Sequence, residues 1–385
     1  GEPQFDYFFG VAAIDAGHAG DGVLALERYL IRFPRNPAAR VQLARGYFAL
    51  GDDVRARQEF ERSLASNPPP DARLVIGRYL DAIRLRESRY RNTSRLYVEA
   101  GVGADTNVNA GVAAAGISLP ILGNVTVLPN GVRRRADFAQ FATGGDISHP
   151  VAPGVALFGA FALDSRNNAS ERDFDLFSTG VAGGASLTSG RDRYSLALSQ
   201  NTLWVGGARF RSLTGFNGEW TRGLDELSRV QMSAQLANED YPGANAVRNA
   251  HYAMLGADYR RLYVAPWQPV LVVGASYGGE HNTENRPDLG RALYGVRAGI
   301  ELTPSLRWGL SAGLSYLESR YDGPDLILAT VRKDHYAQLD AAATYLLSRS
   351  WSLRGELMLA DNRSDLELYG YTRELAALKL RYEFK

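Results

Sequence analysis

From about residue 95 to residue 384, stretch after stretch of the chain sends successive side chains to opposite sides. The last stretch shows this most plainly. Between Tyr371 and Phe384, residues Ala376, Leu378, Leu380, Tyr382 and Phe384 fall on one side, and Arg373, Leu375, Ala377, Lys379, Arg381 and Glu383 on the other. Side chains of a β-strand alternate with this period, whereas a helix would repeat every three to four residues. One such stretch would serve as an edge strand of a soluble sheet. About fourteen follow one another here, from 95–105 to 371–384, with 173–188 and 247–263 among them. The stretches 155–166 and 173–188 are the weakest, being apolar or glycine-rich on both faces.

The connections between these stretches fall into two sets. One set is tight, as at Ser189-Gly190-Arg191, Thr303-Pro304-Ser305 and Ser348-Arg349-Ser350. The other is longer and more polar, as at 239–246, 282–290, 321–330 and 362–370. Short turns at one end and long loops at the other are the pattern of a transmembrane β-barrel. Backbone groups in lipid must all be paired, so the sheet must close on itself. The apolar side, including Leu310, Leu314, Leu339, Ala341 and Leu380, then faces lipid. The polar side, with Arg297, Arg307, Asp340 and Arg381, faces a lumen. An even strand number brings both barrel ends to the side of the short turns, which is the periplasm in such barrels.

Composition agrees without adding detail. Among 385 residues there is no cysteine, which removes disulfides, thiolate metal sites and cysteine nucleophiles. The formal charge of +1 gives no reason to expect a polyanion such as nucleic acid as partner. No apolar run reaches the length of a membrane-spanning helix, which says nothing against spanning strands. No signal peptide is visible, and Gly1 reads as a processed or trimmed start.

Residues 4 to 90 have a helical pattern instead. Gly17 and Gly51, Leu30 and Leu64, and Pro34 and Pro68 stand 34 residues apart. That offset, with Leu43, Ala44, Tyr47, Ala56 and Phe60 at the packing positions of the second copy, resembles the tetratricopeptide repeat. In the first copy Gly20 and Gly22 open the second helix and read as decay. The resemblance implies a concave surface that binds a peptide or protein. It implies Tyr7, Phe8, Val11, Gln42, Arg45 and Phe48 as the residues facing that client. The aromatic members could equally fill the space between helices. The expected organisation is an α+β chain: a periplasmic helical domain over residues 1–92, then a 14-stranded antiparallel transmembrane β-barrel over 93–385. A few residues, Arg91 to Arg95, join them.

One connection is out of scale. Residues 106–135 contain Asp105-Thr106-Asn107-Val108-Asn109 at their start, an apolar stretch from Ile117 to Leu128, and Arg133-Arg134-Arg135. Connections of this length in a compact fold usually have a function. Two forms are expected: a plug folded into the lumen with Asp105, Asn107 and Asn109 holding it to the wall, or a hairpin of 117–119 with 125–128 above the barrel.

Helical repeats followed by a barrel of this size resemble the surface lipoprotein assembly modulators of Gram-negative bacteria. The barrel motif that carries the resemblance is Asp105-Thr106-Asn107-Val108-Asn109. The resemblance implies a factor that moves lipoproteins or other proteins to the cell surface, with the client in the periplasm. It implies an outer-membrane location, with lipid around the barrel and the barrel-assembly machinery reading the C-terminal strand. The present chain departs from it in having a shorter helical part and Lys385 after the terminal aromatic. The alternative is an export channel for polysaccharide or another solute.

No enzyme chemistry is expected. Gly274-Ala275-Ser276-Tyr277-Gly278 matches the string of a nucleophile elbow but falls in mid-strand, without the strand-to-helix turn that exposes such a serine. The five histidines have no metal spacing. No phosphate loop or dinucleotide fingerprint is present, so no cofactor and no metal are expected.

Overall fold

The computed structural model describes residues 2–87, 92–119 and 122–384. Arg91 of the expected linker, Ile121 of the apolar stretch and Lys385 lie outside the described residues. The chain divides into two units, Gly1–Arg91 and Asn92–Lys385, and each is described by itself.

The first unit contains helices α1 (Pro3–Asp15), α2 (Ala19–Arg32), α3 (Pro37–Ala49), α4 (Asp53–Ala65) and α5 (Pro70–Glu87). The starts of α1 and α3 are 34 residues apart (3 and 37), as are those of α2 and α4 (19 and 53). Local chemistry sets the starts of α3 and α4. The Asn36 and Asp52 side chains accept the backbone N–H of Ala39 and Arg55, each at 3.1 Å, which satisfies donors that the first helical turn leaves free. Leu26, Phe60, Ile76 and Ile83 form a fully buried core with Leu43 and Tyr47 beside them. The Tyr47 hydroxyl donates to Glu27, and burial together with that carboxylate pushes the phenol up to about 12. Gly22 is not decay. A Cβ there would stand 2.6 Å from the Ile14 side chain and 2.7 Å from the Gly10 carbonyl, so α1 and α2 approach as closely as they do because position 22 has no side chain.

The Asp52 cap gives a stability prediction. The backbone N–H of Arg55 holds the Asp52 carboxyl below its usual range, with the Arg55 side chain assisting. A depressed carboxylate contributes stability above its unfolded pKa and loses it as pH falls through the folded value. Asp52→Ala should therefore cost about 1 kcal/mol near neutral pH, the usual worth of an N-cap. The gap between the two proteins should close as pH falls through the carboxylate range. Thermal melts followed by circular dichroism at several pH values test this, and a gap that stays constant with pH refutes it.

The second unit is a closed barrel of fourteen antiparallel strands. In chain order the strands are β1 (Thr93–Asp105), β2 (Gly116–Leu119), β3 (Gly123–Thr126), β4 (Ala136–Ala152), β5 (Val155–Asn168), β6 (Leu176–Ser189), β7 (Asp192–Val205) and β8 (Ala208–Gly223). There follow β9 (Ser228–Asp240), β10 (Ala250–Leu262), β11 (Val270–Asn282), β12 (Arg291–Leu302), β13 (Trp308–Pro324), β14 (Val331–Leu346), β15 (Trp351–Ser364) and β16 (Tyr371–Phe384). Consecutive strands from β4 to β16 pair with each other. β1 closes the ring by pairing with both β4 and β16, while β2 and β3 form a separate hairpin. Pairing of Leu96 with Phe384 places both ends of the barrel beside the short connections.

Three local differences from the sequence reading have physical causes. β6 starts at Leu176, because Arg172–Phe174 turn as a 3-10 segment; β10 starts at Ala250, because Gly243–Arg248 do the same. The connection of β7 to β8, at the end of the long loops, is only Gly206-Gly207. Their φ angles of +57° and +81° are the left-handed pair that a two-residue hairpin turn requires.

The outer wall follows the alternation. Leu314, Leu339 and Leu380 are exposed on it, and Leu310 and Ala341 share that face, half-buried. Aromatic pairs mark both edges of the apolar band. Trp308–Tyr345 and Trp351–Tyr382 lie at the short connections, and Tyr277–Tyr294 and Phe177–Trp204 nearer the long ones. Such girdles sit at the two membrane–water interfaces. An arginine in place of Leu314 should lower stability in bilayers by about 2–4 kcal/mol if the residue lies at the midplane. Urea titration of the protein in lipid vesicles measures this, and an unchanged midpoint would show that Leu314 does not face lipid.

Candidate functional site: the lumen and its long-loop mouth

The inward positions divide the lumen into two walls. Those of β6 are Ser178, Gly180, Ala182, Gly184 and Ser186, and those of β7 include Ser195, Ala197 and Ser199, all small. The wall from β10 through β16 and on to β1 is charged and internally paired. Arg297 meets Asp258 at 2.7 Å, and Arg260 meets Glu301 at 2.6 Å, both pairs reaching across β11. Glu356 takes Arg354 at 2.6 Å and Lys379 at 2.8 Å. Glu99, almost fully buried, takes Arg381 at 2.8 Å, and the Arg381 guanidinium also lies over the Tyr97 ring. Along this wall a cavity of about 820 Å³ is lined by strand residues, among them Arg260, Arg297, Asp340 and Lys379, with Gln140 of β4.

Three of the four expected lumen residues lie there. Arg297 and Arg381 are ion-paired, and Asp340, exposed to the lumen, accepts the Gln338 amide at 2.8 and 2.9 Å. Arg307 does not belong with them. β13 starts one residue later, at Trp308, after Pro304 and Ser305 have interrupted the ladder, so Arg307 sits in the short turn with its guanidinium 3.5 Å from the Tyr345 hydroxyl.

At the other end of β1 the Asp105-Thr106-Asn107-Val108-Asn109 run stitches the mouth together. Asp105 is fully buried and receives the Arg166 guanidinium of β5 at 2.5 Å and that of Arg373 of β16 at 2.6 Å, as well as the Asn107 N–H at 2.9 Å. The Phe138 ring lies under Arg166, 3.8 Å from its guanidinium carbon. The Asn107 amide donates to the carbonyls of Gly111 and Thr372, and its oxygen accepts the Gly111 N–H. Asn109 likewise donates to the carbonyls of Asn130 and Val132 and accepts the Arg134 N–H. These side chains replace backbone partners over a stretch that has left the sheet, where unpaired polar groups would be costly.

What they hold is the hairpin β2–β3 and not a plug at mid-lumen. Its apolar residues Ile117 and Leu119, with Val112, pack on Leu328 and Leu366 of two other long connections, and the Ser118 N–H is bound by Glu367. The apolar stretch that would have been costly in an exposed loop is thereby covered by its neighbours. The hairpin turns earlier than the sequence suggests, with Gly123 already in β3 and Ile117 opposite Val125. Nearby, Arg332 pairs with Asp334 and lies between the rings of Tyr321 and Tyr369, at 4.5 and 3.5 Å. Arg291 pairs with Glu280 at 2.7 Å, and Arg211 with Glu239 at 3.1 Å. Sequence reading did not single out Arg166, Arg332 or Phe138. Their inward position on alternating strands was the available signal.

In the helical unit the residues suggested for a client are not equivalent. Tyr7 packs on Tyr29 and the core, and Phe48 lies under the Arg86 guanidinium and against Tyr79. Arg45 is held by Gln42 at 2.6 Å and Asp15 at 2.7 Å, and Val11 is half-buried. Phe8 is exposed, at 69%. So are Phe5 and Phe9, which the sequence reading did not assign to the client although i and i+4 share a helix face; Phe9 stands at the repeat position of buried Leu43 but is not buried.

Comparison with known proteins places this geometry. A family model described as surface lipoprotein assembly modifier matches residues 153–384. A protein of that name from Moraxella catarrhalis is 32% identical over 82 residues, which is 21% of this chain and 16% of that protein, so the match spans less than two thirds of its length. Among solved structures, a Pseudomonas aeruginosa FadL homologue aligns with TM-score 0.41 at 10% identity, over 81% of this chain and 92% of that one. Pseudomonas aeruginosa OccK1 aligns with TM-score 0.39 at 11% identity, over 76% and 98%. The closed wall, the two aromatic girdles and the polar lumen are those of an outer-membrane barrel. The family match covers 232 residues (153 to 384), more than half of 385, and the chain belongs to the surface lipoprotein assembly modifier family.

Proposed function

We infer that this protein moves or displays lipoproteins at the cell surface without chemical turnover. Family membership over the barrel carries this reading. The lumen supports it: its charges are paired along one wall and small residues line part of the other, which suits passage or docking of a polypeptide better than a ladder for one kind of ion. The helical unit, which the sequence joins directly to β1, is the periplasmic arm that meets the client. Exposed Phe8, with Phe5 and Phe9, makes the contact, and the packed Tyr7 and Phe48 shape the surface behind it. Tyr382 and Phe384 at the end of β16 are the signal to the barrel-assembly machinery.

The test removes residues 1–90 in cells that keep the barrel. Protease-accessible lipoprotein at the surface should fall while the barrel remains inserted. Unchanged surface lipoprotein together with reduced polysaccharide export would replace this reading with that of a polymer channel.

A further inference from the structure

The outer wall of the barrel contains a hollow that the lumen does not explain. Across three neighbouring strands the outward residues Ala253, Gly279 and Ala292 are all small and lie in one row, since Ala253 pairs with Gly279 and Gly279 with Ala292. On one side the row meets Phe216 and Leu236, both exposed to lipid. On the side of the apolar band it meets Tyr277, stacked 5.1 Å from Tyr294. The result is a cavity of about 770 Å³ on the lipid-facing surface, within the range of ordinary ligand sites.

The end of the hollow toward the long loops is polar. His251 and His281 pair directly across β10 and β11, and both point outward. The His251 ring nitrogen lies 2.7 Å from the Asn238 amide oxygen, and Asp322 also lines the cavity. The hollow thus begins at the tyrosine girdle and extends to the headgroup level of the leaflet on the long-loop side. Its occupant must have apolar chains below and polar groups above.

We propose that this hollow binds a sugar-headed lipid of the membrane leaflet at the long-loop side. A carboxylate, an amide and two imidazoles are hydroxyl-binding groups, and a tyrosine face receives the apolar side of a sugar ring. Asp322 lines the cavity, and the other two charged lining residues, Arg291 and Glu280, neutralise each other at 2.7 Å, so the charge that is left disfavours a headgroup whose only feature is an anionic phosphate. Glu318 and Arg320 on the flank of β13 form their own pair at 2.5 Å, and Lys333 stands opposite Arg320 one strand further from the hollow. The acyl chains then run over Phe216 and Leu236 into the bilayer.

The experiment uses the full chain reconstituted in phosphatidylcholine vesicles carrying either a monohexosyl diacylglycerol or phosphatidylglycerol. Native mass spectrometry after detergent extraction measures the lipid that stays bound. The hexosyl lipid should be retained at least about tenfold over phosphatidylglycerol. Ala253→Phe, which fills the hollow from a residue already facing lipid, should abolish the retention. Ala257→Phe, two outward positions along the same strand, should not. Asp322→Asn should reduce the preference. Heat-modifiable migration on gels checks that each variant is a closed barrel. Equal retention of the two lipids, or undiminished retention by Ala253→Phe, overturns the proposal.

Discussion

Asp105→Ala should destabilise the barrel by about 3–5 kcal/mol, the usual cost of removing one partner from a buried ion pair. The carboxylate is fully buried and is the common partner of Arg166, itself 9% exposed, and Arg373. Without it two guanidinium groups face each other with no anion between them. The cost is therefore one of leaving charge uncompensated and not simply the worth of the lost contacts. Because Asp105 also accepts the Asn107 N–H, the first turn of the 106–135 connection should loosen, and a protease added from the long-loop side should cut there. Urea unfolding in vesicles and limited proteolysis read the two effects. Replacing all three charges together, as Asp105→Leu with Arg166→Met and Arg373→Met, should recover much of the loss, since apolar residues of similar volume often substitute for buried ion pairs at little cost. An unchanged unfolding midpoint for Asp105→Ala would remove the cluster from any account of how β1 is held to β5 and β16.

Phe60→Ala should cost the helical unit about 3–5 kcal/mol, by lost burial and by the cavity left behind. Phe60 is fully buried at the contact of α4 with α5, with its ring stacked 5.0 Å from Tyr79. A unit of this size has a total stability of about 5–15 kcal/mol, so the loss is a large share of it. In the full chain, thermal melting followed at helical wavelengths should shift to lower temperature while heat-modifiable migration of the barrel stays as it was. If the helical unit is the client-binding arm, surface lipoprotein should fall with it. A helical transition at the wild-type temperature would show that α5 does not depend on this contact.

The strands were legible because the membrane imposes one rule on every residue of the wall. Apolar residues outside and polar residues inside repeat with period two, and at one end of the barrel the turns between strands are short and rich in glycine, proline and serine. The rule blurs at β5 and β6, where inward Ala160, Ala162, Gly180 and Ala182 are as apolar as the outward residues. It fails at the strand ends, where 3-10 turns replace the first residues of the expected β6 and β10. The start of the mouth cluster could also be read, since Asp105, Asn107 and Asn109 stand out in an apolar neighbourhood. Its partners could not, because Arg166 and Arg373 are 61 and 268 residues away from Asp105 and only closure of the ring brings them together. The fate of residues 106–135 was open for a similar reason: Leu328 and Leu366, which cover the hairpin, are far along the chain and give no sign of it in their own loops.

The two walls of the lumen differ in more than charge. The Arg297–Asp258 and Arg260–Glu301 pairs cross the intervening β11, so three strands are braced as a panel. Among the described residues the small inward side chains of β6 and β7 form no ion pair; beyond the backbone ladder, the Asn217 amide of β8 donates one neutral bond to the Ser199 hydroxyl of β7 at 2.6 Å. A cylinder stiff on one side and compliant on the other does not widen evenly when something passes through it. Under an outward load it should bow on the more compliant side, so that the bore would grow beside Gly180 and Ala182 while the charged panel keeps its shape.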